Sequence, residues 1–304
     1  MKKINRTTLF LLLTFGISYT LAAIFKTVGW GYNDSLIFTI FGIVYMFIPA
    51  LCVVIVEKVI HKEKLNPSLL ISFKFNKWFL YAWLIMPAIS FLTLGISLLF
   101  PGVTYSSDMA GMIERYENLL TPEQIEQMKI SLKNLPVHPI FLTTVQGLIA
   151  GATINAVAAF GEELGWRGFL LREFKAMHFL KASLIIGFIW GIWHAPIILM
   201  GHNYPQHPAA GVLMMTILCI LLTPLFLYVT IKSKSVIAAA IIHGTLNGTA
   251  GISILVISGG NDLTTGLTGL AGFTALTISL LILYLYDSKL TKEKIITSKM
   301  ANWL

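Results

Sequence analysis

Three short stretches of this chain put ionisable or hydrogen-bonding side chains inside long apolar runs. Gly161-Glu162-Glu163-Leu164-Gly165-Trp166-Arg167 ends one run, Trp190-Gly191-Ile192-Trp193-His194-Ala195-Pro196 lies in the next, and His243-Gly244-Thr245-Leu246-Asn247 lies in a later one. Such groups are costly in hydrocarbon, so those that persist face a bundle interior and act on something. Neighbours on a helix point about 100° apart, so Glu162 and Glu163 cannot address the same atom. Glu163 and Arg167 stand at i,i+4 and can pair, which leaves Glu162 free to take a proton from water. His243 and Asn247 share the same spacing, so both can donate toward one point, as the oxyanion formed by attack on an amide requires. Pro196 lacks an N–H and opens the helix near Ile192, making room beside His194.

Taken singly, each feature has a plain structural reading. A Glu pair near a helix end is an ordinary charge pair or interfacial anchor, and one intramembrane His is often a helix-to-helix hydrogen bond. Their combination at one level is harder to account for that way. At a rise of about 1.5 Å per residue, Glu162, His243, Asn247 and His194 come out roughly 9–17 Å below the lysine-rich ends of their helices. This predicts a shared cavity in that half of the membrane, open to the cytoplasm.

The elements that must hold them are transmembrane helices. The chain has 304 residues, 56% hydrophobic and 12% charged, which argues against a soluble fold. Apolar runs predict eight spans, at 7–25, 35–57, 78–100, 140–168, 183–199, 211–231, 236–257 and 267–286, the fifth of them short. The fold class is therefore an all-α polytopic membrane protein, with the chemistry on spans four, five and seven. The net charge of +8 follows the membrane and does not point to nucleic acid. Most Lys and Arg fall in alternate loops, which places both termini in the cytoplasm.

The first run, residues 1–23, also has the layout of a signal peptide, although it is long for one. Residues 101–139 form the longest polar segment, with the pattern of a short amphipathic surface helix, either a connector or a cap that gates substrate. Cys52 and Cys219 sit in separate apolar runs and suggest neither a disulfide nor a thiolate metal site. His61, His138, His178, His202 and His207 fall in loops or at interfaces and receive no chemistry. With no linker or repeat, residues 1–304 read as a single transmembrane domain.

The ordered trio Glu-Glu-x-x-x-Arg, aromatic-x-x-x-His and His-x-x-x-Asn resembles the CPBP family of intramembrane proteases, which covers CAAX proteases and Abi-type bacteriocin-processing or immunity proteins. The resemblance covers about residues 140–257. It implies an eight-helix glutamic-type endopeptidase with no cofactor, acting on a membrane-associated peptide or protein in the lipid bilayer of the cell membrane. It further implies catalytic Glu162 and His194 at the water, His243 and Asn247 at the oxyanion, and supporting Glu163, Arg167 and Trp190. Trp190 stands where the family has Phe and need only pack its ring against the imidazole. Zinc held by Glu162, His194 and His243 is the nearest alternative, as a His₂Glu set with one position for water. A non-catalytic regulator or immunity protein using the same cavity is another. A transporter would need polar groups through both membrane halves, whereas these occupy one. Short polar loops and a basic inner surface resemble those of a bacterial protein.

Overall fold

A computed structural model describes residues 5–29, 35–65, 68–107, 109–116, 120–134 and 137–303. The first three helices are α1 (Arg6–Thr27), α2 (Ser35–Val54, running on through a π-helical turn to Ile60) and α3 (Lys77–Ser97). The polar segment after α3 holds strand β1 (Thr104–Tyr105) and two helices where one was expected, α4 (Ala110–Tyr116) and α5 (Pro122–Lys133). Next come α6 (Pro139–Ala152) and α7 (Ile154–Glu163), the latter continuing through a π-helical turn into α8 (Leu171–Glu173). The chain proceeds through α9 (Phe179–Trp193), α10 (Ala195–Ile198), α11 (Pro208–Ser233), α12 (Val236–Thr249) and α13 (Ile252–Leu255). Strand β2 (Ile257–Ser258) and α14 (Leu270–Leu285) complete it.

Among the described residues, six helices are long and apolar enough to cross a bilayer. The expected fourth span is a broken one, α6 and α7 meeting at Thr153 with a bend of 52°, and the fifth is the 15-residue α9. The protein is thus an all-α polytopic membrane protein, with six helices of spanning length, one bent pair and one short apolar helix among the described residues. Side chains such as Leu12, Ile40, Leu80, Phe141, Leu184 and Ile282 are exposed on its outer surface, as lipid contact requires.

Helix starts follow side-chain chemistry. Asn5, Asn76 and Ser235 cap α1, α3 and α12 by accepting the amides of Thr7, Trp78 and Ile237 at 2.9, 3.0 and 3.1 Å. Pro139 and Pro208 sit in the first turns of α6 and α11, where no N–H is missed. Small residues set the closest helix contact. A Cβ on Gly147 would lie 2.3 Å from the Gly248 oxygen, and one on Gly244 would lie 2.3 Å from the Gly151 oxygen. Two glycine pairs spaced by four therefore let the α6 and α12 backbones touch, a close approach that stabilises helix pairs in lipid through dispersion. Gly161 does the same for α7, its missing Cβ being 2.5 Å from the Met46 oxygen of α2.

The loops form two faces. On the lysine-rich face, Arg172 grips Glu57 with both ends of its guanidinium at 2.8 and 2.9 Å, and Arg6 pairs with Glu63. The Val236 amide bonds the Leu70 carbonyl at 2.9 Å, and Lys232 meets Glu293 at 2.7 Å. Buried Asp287 accepts the Ile295 and Ile296 amides at 3.1 and 2.9 Å, tying the C-terminal segment to this face. On the opposite face β1 pairs antiparallel with β2, and Arg115 of α4 reaches the Thr265 carbonyl at 3.4 Å. There Asp262 accepts the Gln206 and His207 amides at 2.7 and 3.2 Å. All of these contacts join loops that the charge pattern assigns to the same side.

Candidate active site

α7, α9 and α12 converge in the interior of the bundle. Their polar groups divide at the adjacent glutamates, as the helical turn between neighbours demands. Glu163 is fully buried and its Oε1 takes two partners, Arg167 Nη1 at 3.0 Å and His243 Nδ1 at 2.8 Å. The Arg167 guanidinium, also fully buried, donates to Thr223 Oγ1 at 3.2 Å and lies between the rings of Trp190 and Phe226, at 4.1 and 4.7 Å from their centroids. Such a cation, removed from water, needs both its carboxylate and its aromatic faces.

Glu162 turns the other way. Its Oε2 accepts the Trp190 indole N–H at 2.6 Å, and its Oε1 has no partner among the described residues. The side chain lines a cavity of about 370 Å³ that His194, His243 and Asn247 also line. That volume lies at the lower end of the range for ligand sites, about 300–1,000 Å³.

His194 is the residue at which the helix breaks, between α9 and α10. Its Nδ1 bonds the Trp190 carbonyl at 2.8 Å. A carbonyl can only accept, so Nδ1 carries the proton and Nε2 presents a lone pair when the ring is neutral. Pro196 removes the N–H that Ile192 would have received, and the chain supplies replacements from the first two helices. Tyr19 of α1 donates to the Ile192 carbonyl at 2.8 Å, and Tyr45 of α2 donates to that of Trp193 at 2.9 Å.

His243 occupies a more constrained place than its spacing from Asn247 suggested. Its Nδ1 is committed to Glu163, so a hydrogen bond donated by Nε2 into the cavity needs a proton on both nitrogens. Asn247, one turn on, is exposed on the cavity wall, and its carboxamide has no partner among the described residues. The geometry brings Glu162, His194, His243 and Asn247 to one cavity. Glu163 and Arg167 lie behind them, away from open space, and Trp190 lines the cavity beside Glu162.

Several features of this arrangement were not read from the sequence. Trp190 was assigned ring packing alone, although the change from Phe to Trp adds an N–H, and that was the available signal. His202, given no chemistry, lines the cavity beside Asn203. Glu162 lies toward the lysine-rich end of its helix, whereas His194 caps the far end of α9 and Asn247 lies near the far end of α12; the lining also includes Phe38, Asn203, Leu267 and Thr268 from the opposite face. Counting residues along a helix measures depth and says nothing of which side a bundle leaves open. As for a metal, no three His, Cys, Asp or Glu side chains among the described residues stand together as a metal-holding group. Glu162, His194 and His243 do not meet that condition in this geometry.

Comparison with known proteins points the same way as the ordered motifs. Residues 142–249 match the model of the Rce1-like type II CAAX prenyl endopeptidase family. A 49-residue stretch is 41% identical to the CAAX prenyl protease 2 of Methanococcus maripaludis, and it covers 16% of this chain and 18% of that protein. The match to that relative is thus confined to less than a fifth of its length. The segment from 142 to 249 carries every residue of the candidate site, and over that segment the chain is similar to the Rce1-like type II CAAX prenyl endopeptidases.

Proposed function

We propose that this protein is an intramembrane endopeptidase of glutamic type that hydrolyses a peptide bond in a membrane-associated peptide or protein. The observation that carries this reading is the separation of the two carboxylates, one locked into an ion pair and the other held at a single oxygen with the second turned to a cavity. In this reading Glu162 Oε1 takes a proton from water as the water oxygen bonds the scissile carbonyl carbon. His194 Nε2 accepts the water's second hydrogen bond and holds it in line. The carbonyl oxygen becomes an oxyanion and receives hydrogen bonds from the Asn247 carboxamide and from Nε2 of a doubly protonated His243, whose charge Glu163 balances. Collapse of the tetrahedral species breaks the C–N bond, and the proton on Glu162 passes to the departing amine. No metal enters these steps.

The chain acts as one domain, with the lysine-rich face and both described ends in the cytoplasm, as its loop charges favour. The CAAX prenyl substrate in the relative's name is one candidate, alongside bacteriocin leaders, signalling peptides and other lipidated tails. The test is to compare membrane-peptide fragments in cells carrying wild type and Glu162→Gln, with metal content measured on both purified proteins. Fragments that depend on Glu162 in a metal-free protein support the reading. Identical fragment sets would leave a non-catalytic binding protein, and stoichiometric zinc lost on His243→Ala would favour the metal alternative.

A further inference from the structure

Most glycines inside these helices stand where two backbones touch. A Cβ on Gly147, Gly161, Gly187, Gly191 or Gly244 would lie 2.3–2.7 Å from backbone atoms of a neighbouring helix. Gly42, within α2, is different. A Cβ there would meet nothing within 4 Å, and its φ is not positive. Glycine weakens a helix interior relative to alanine, so neither packing nor backbone conformation accounts for its presence. Gly16 and Gly95 also meet nothing, but both are exposed and neither lines the cavity, whereas Gly42 is half-buried and does line it.

The turn of the helix fixes where the missing side chain would point. α2 contributes Phe38, Phe41, Gly42, Tyr45 and Met46 to the cavity wall. At about 100° per residue these five fall within an arc of about 140°, and Gly42 lies inside it, about 40° from Phe38 on one side and about 40° from Met46 on the other. Val44 points about 160° away from Gly42 and is exposed on the outer surface. A side chain at position 42 would therefore enter the cavity, and its absence leaves a hollow in the wall. The clear space reaches past the usual carbon contact of about 3.5–4.0 Å, so a methyl group would not fill it.

The hollow is close to the polar groups. Tyr45, one turn along α2, donates its hydroxyl to the Trp193 carbonyl beside His194, and the Met46 carbonyl abuts Gly161 beside Glu162. The rings of Phe38, Phe41 and Tyr45 and the thioether of Met46 carry no charge, so they give an apolar side chain contact and a charged one no partner.

We propose that this hollow is a specificity subsite, which receives an apolar side chain larger than alanine from a residue at a fixed place near the scissile bond, and that Gly42 sets the size accepted. The proposal deepens the peptidase reading and rests on it.

The test compares wild type with Gly42→Ala, Gly42→Leu and Val44→Leu, each paired with its Glu162→Gln version to subtract background cleavage. Membrane-peptide fragments from cells carrying each protein are sequenced by mass spectrometry. Wild type should make Glu162-dependent cuts with a large apolar residue at one fixed position. Gly42→Leu should lower cuts at Leu, Met or Phe by about tenfold or more and keep those at Gly, Ala or Ser within about threefold, with Gly42→Ala in between. Both Gly42 variants should melt no lower than wild type in detergent, because the added atoms enter open space. An unchanged set of cut positions in Gly42→Leu, an equal fall for small and large residues in both Gly42 variants, or the same shift in Val44→Leu would overturn the proposal. A lowered melting temperature in Gly42→Leu would do so too, by showing that the hollow is not open. If no fragment depends on Glu162, the peptidase reading fails and the subsite with it, whereas Glu162-dependent cuts that ignore position 42 remove the subsite alone.

Discussion

The half of the bundle toward the lysine-rich face and the half toward the lysine-poor face solve opposite problems. In the first, charges are locked in place. Arg167 has Glu163, Thr223 and two aromatic rings, and Glu57 has both ends of Arg172. In the second, α6 leaves the line of α7 by 52°, a cavity of about 370 Å³ remains, and the loops are tied by Asp262 and Arg115 to backbone groups and His207. The dividing line runs between consecutive residues, since Glu163 belongs to the packed half and Glu162 to the open one. In the proposed mechanism the carboxylate that moves protons stands next to one fixed in an ion pair, an arrangement that would hold reactive geometry without filling the cavity.

If that division is right, substitutions should sort by half. The largest effect falls on turnover: Glu162→Gln keeps shape and the Trp190 contact, so cleavage should drop by about 10³-fold or more with the melting temperature in detergent nearly unchanged. Full activity in this variant would remove Glu162 from the chemistry. Glu163→Gln should behave differently, leaving Arg167 buried without its counter-charge and costing about 3–5 kcal/mol of stability, visible as a lowered melting temperature. A stable Glu163→Gln protein would erase the distinction between the halves.

On the open side, Asn247→Ala should lower turnover by about 10²–10³ with KM little changed, because its bond to the oxyanion forms mainly in the transition state. Steady-state kinetics with metal content distinguishes this from zinc, for which a carboxamide is a poor ligand. The smallest effect sits at the boundary. Trp190→Phe keeps a ring beside Arg167 and His194 but deletes the N–H to Glu162, a bond to a charged group worth about 1.5–3 kcal/mol. Turnover should fall by about 10- to 100-fold with stability affected less than in Glu163→Gln. An unchanged rate would return Trp190 to ring packing alone.

The sequence shows the helices and the ordered polar trio because hydropathy and i,i+4 spacing are local properties. The Glu163–Arg167 pair follows from spacing alone and is present at 3.0 Å. The pairing of His243 with Glu163 could not be read, because 80 residues separate them and their meeting depends on the glycine contacts between α6 and α12. The break at Thr153 was hidden for a related reason. Residues 140–161 are mainly apolar on both sides of Thr153, and hydropathy does not register a bend that leaves composition unchanged. The cavity lining also draws on loops around residues 203 and 268, whose sequences carry no periodic signal.

The hydroxyls of Tyr19 and Tyr45 have a consequence for how this protein can be taken apart. They serve carbonyls at the break beside His194, yet both tyrosines lie outside the segment shared with the family. A fragment limited to residues 142–249 would leave two carbonyls in hydrocarbon with no donor, at a cost of several kcal/mol each. The same α2 that carries Tyr45 supplies Phe38, Phe41 and Met46 to the cavity wall. If the cavity takes the peptide, as proposed, the N-terminal helices would form one wall of its mould. Chimaeras that swap residues 6–60 between relatives, keeping a tyrosine at positions 19 and 45, should conserve the reaction and transfer the choice of peptide.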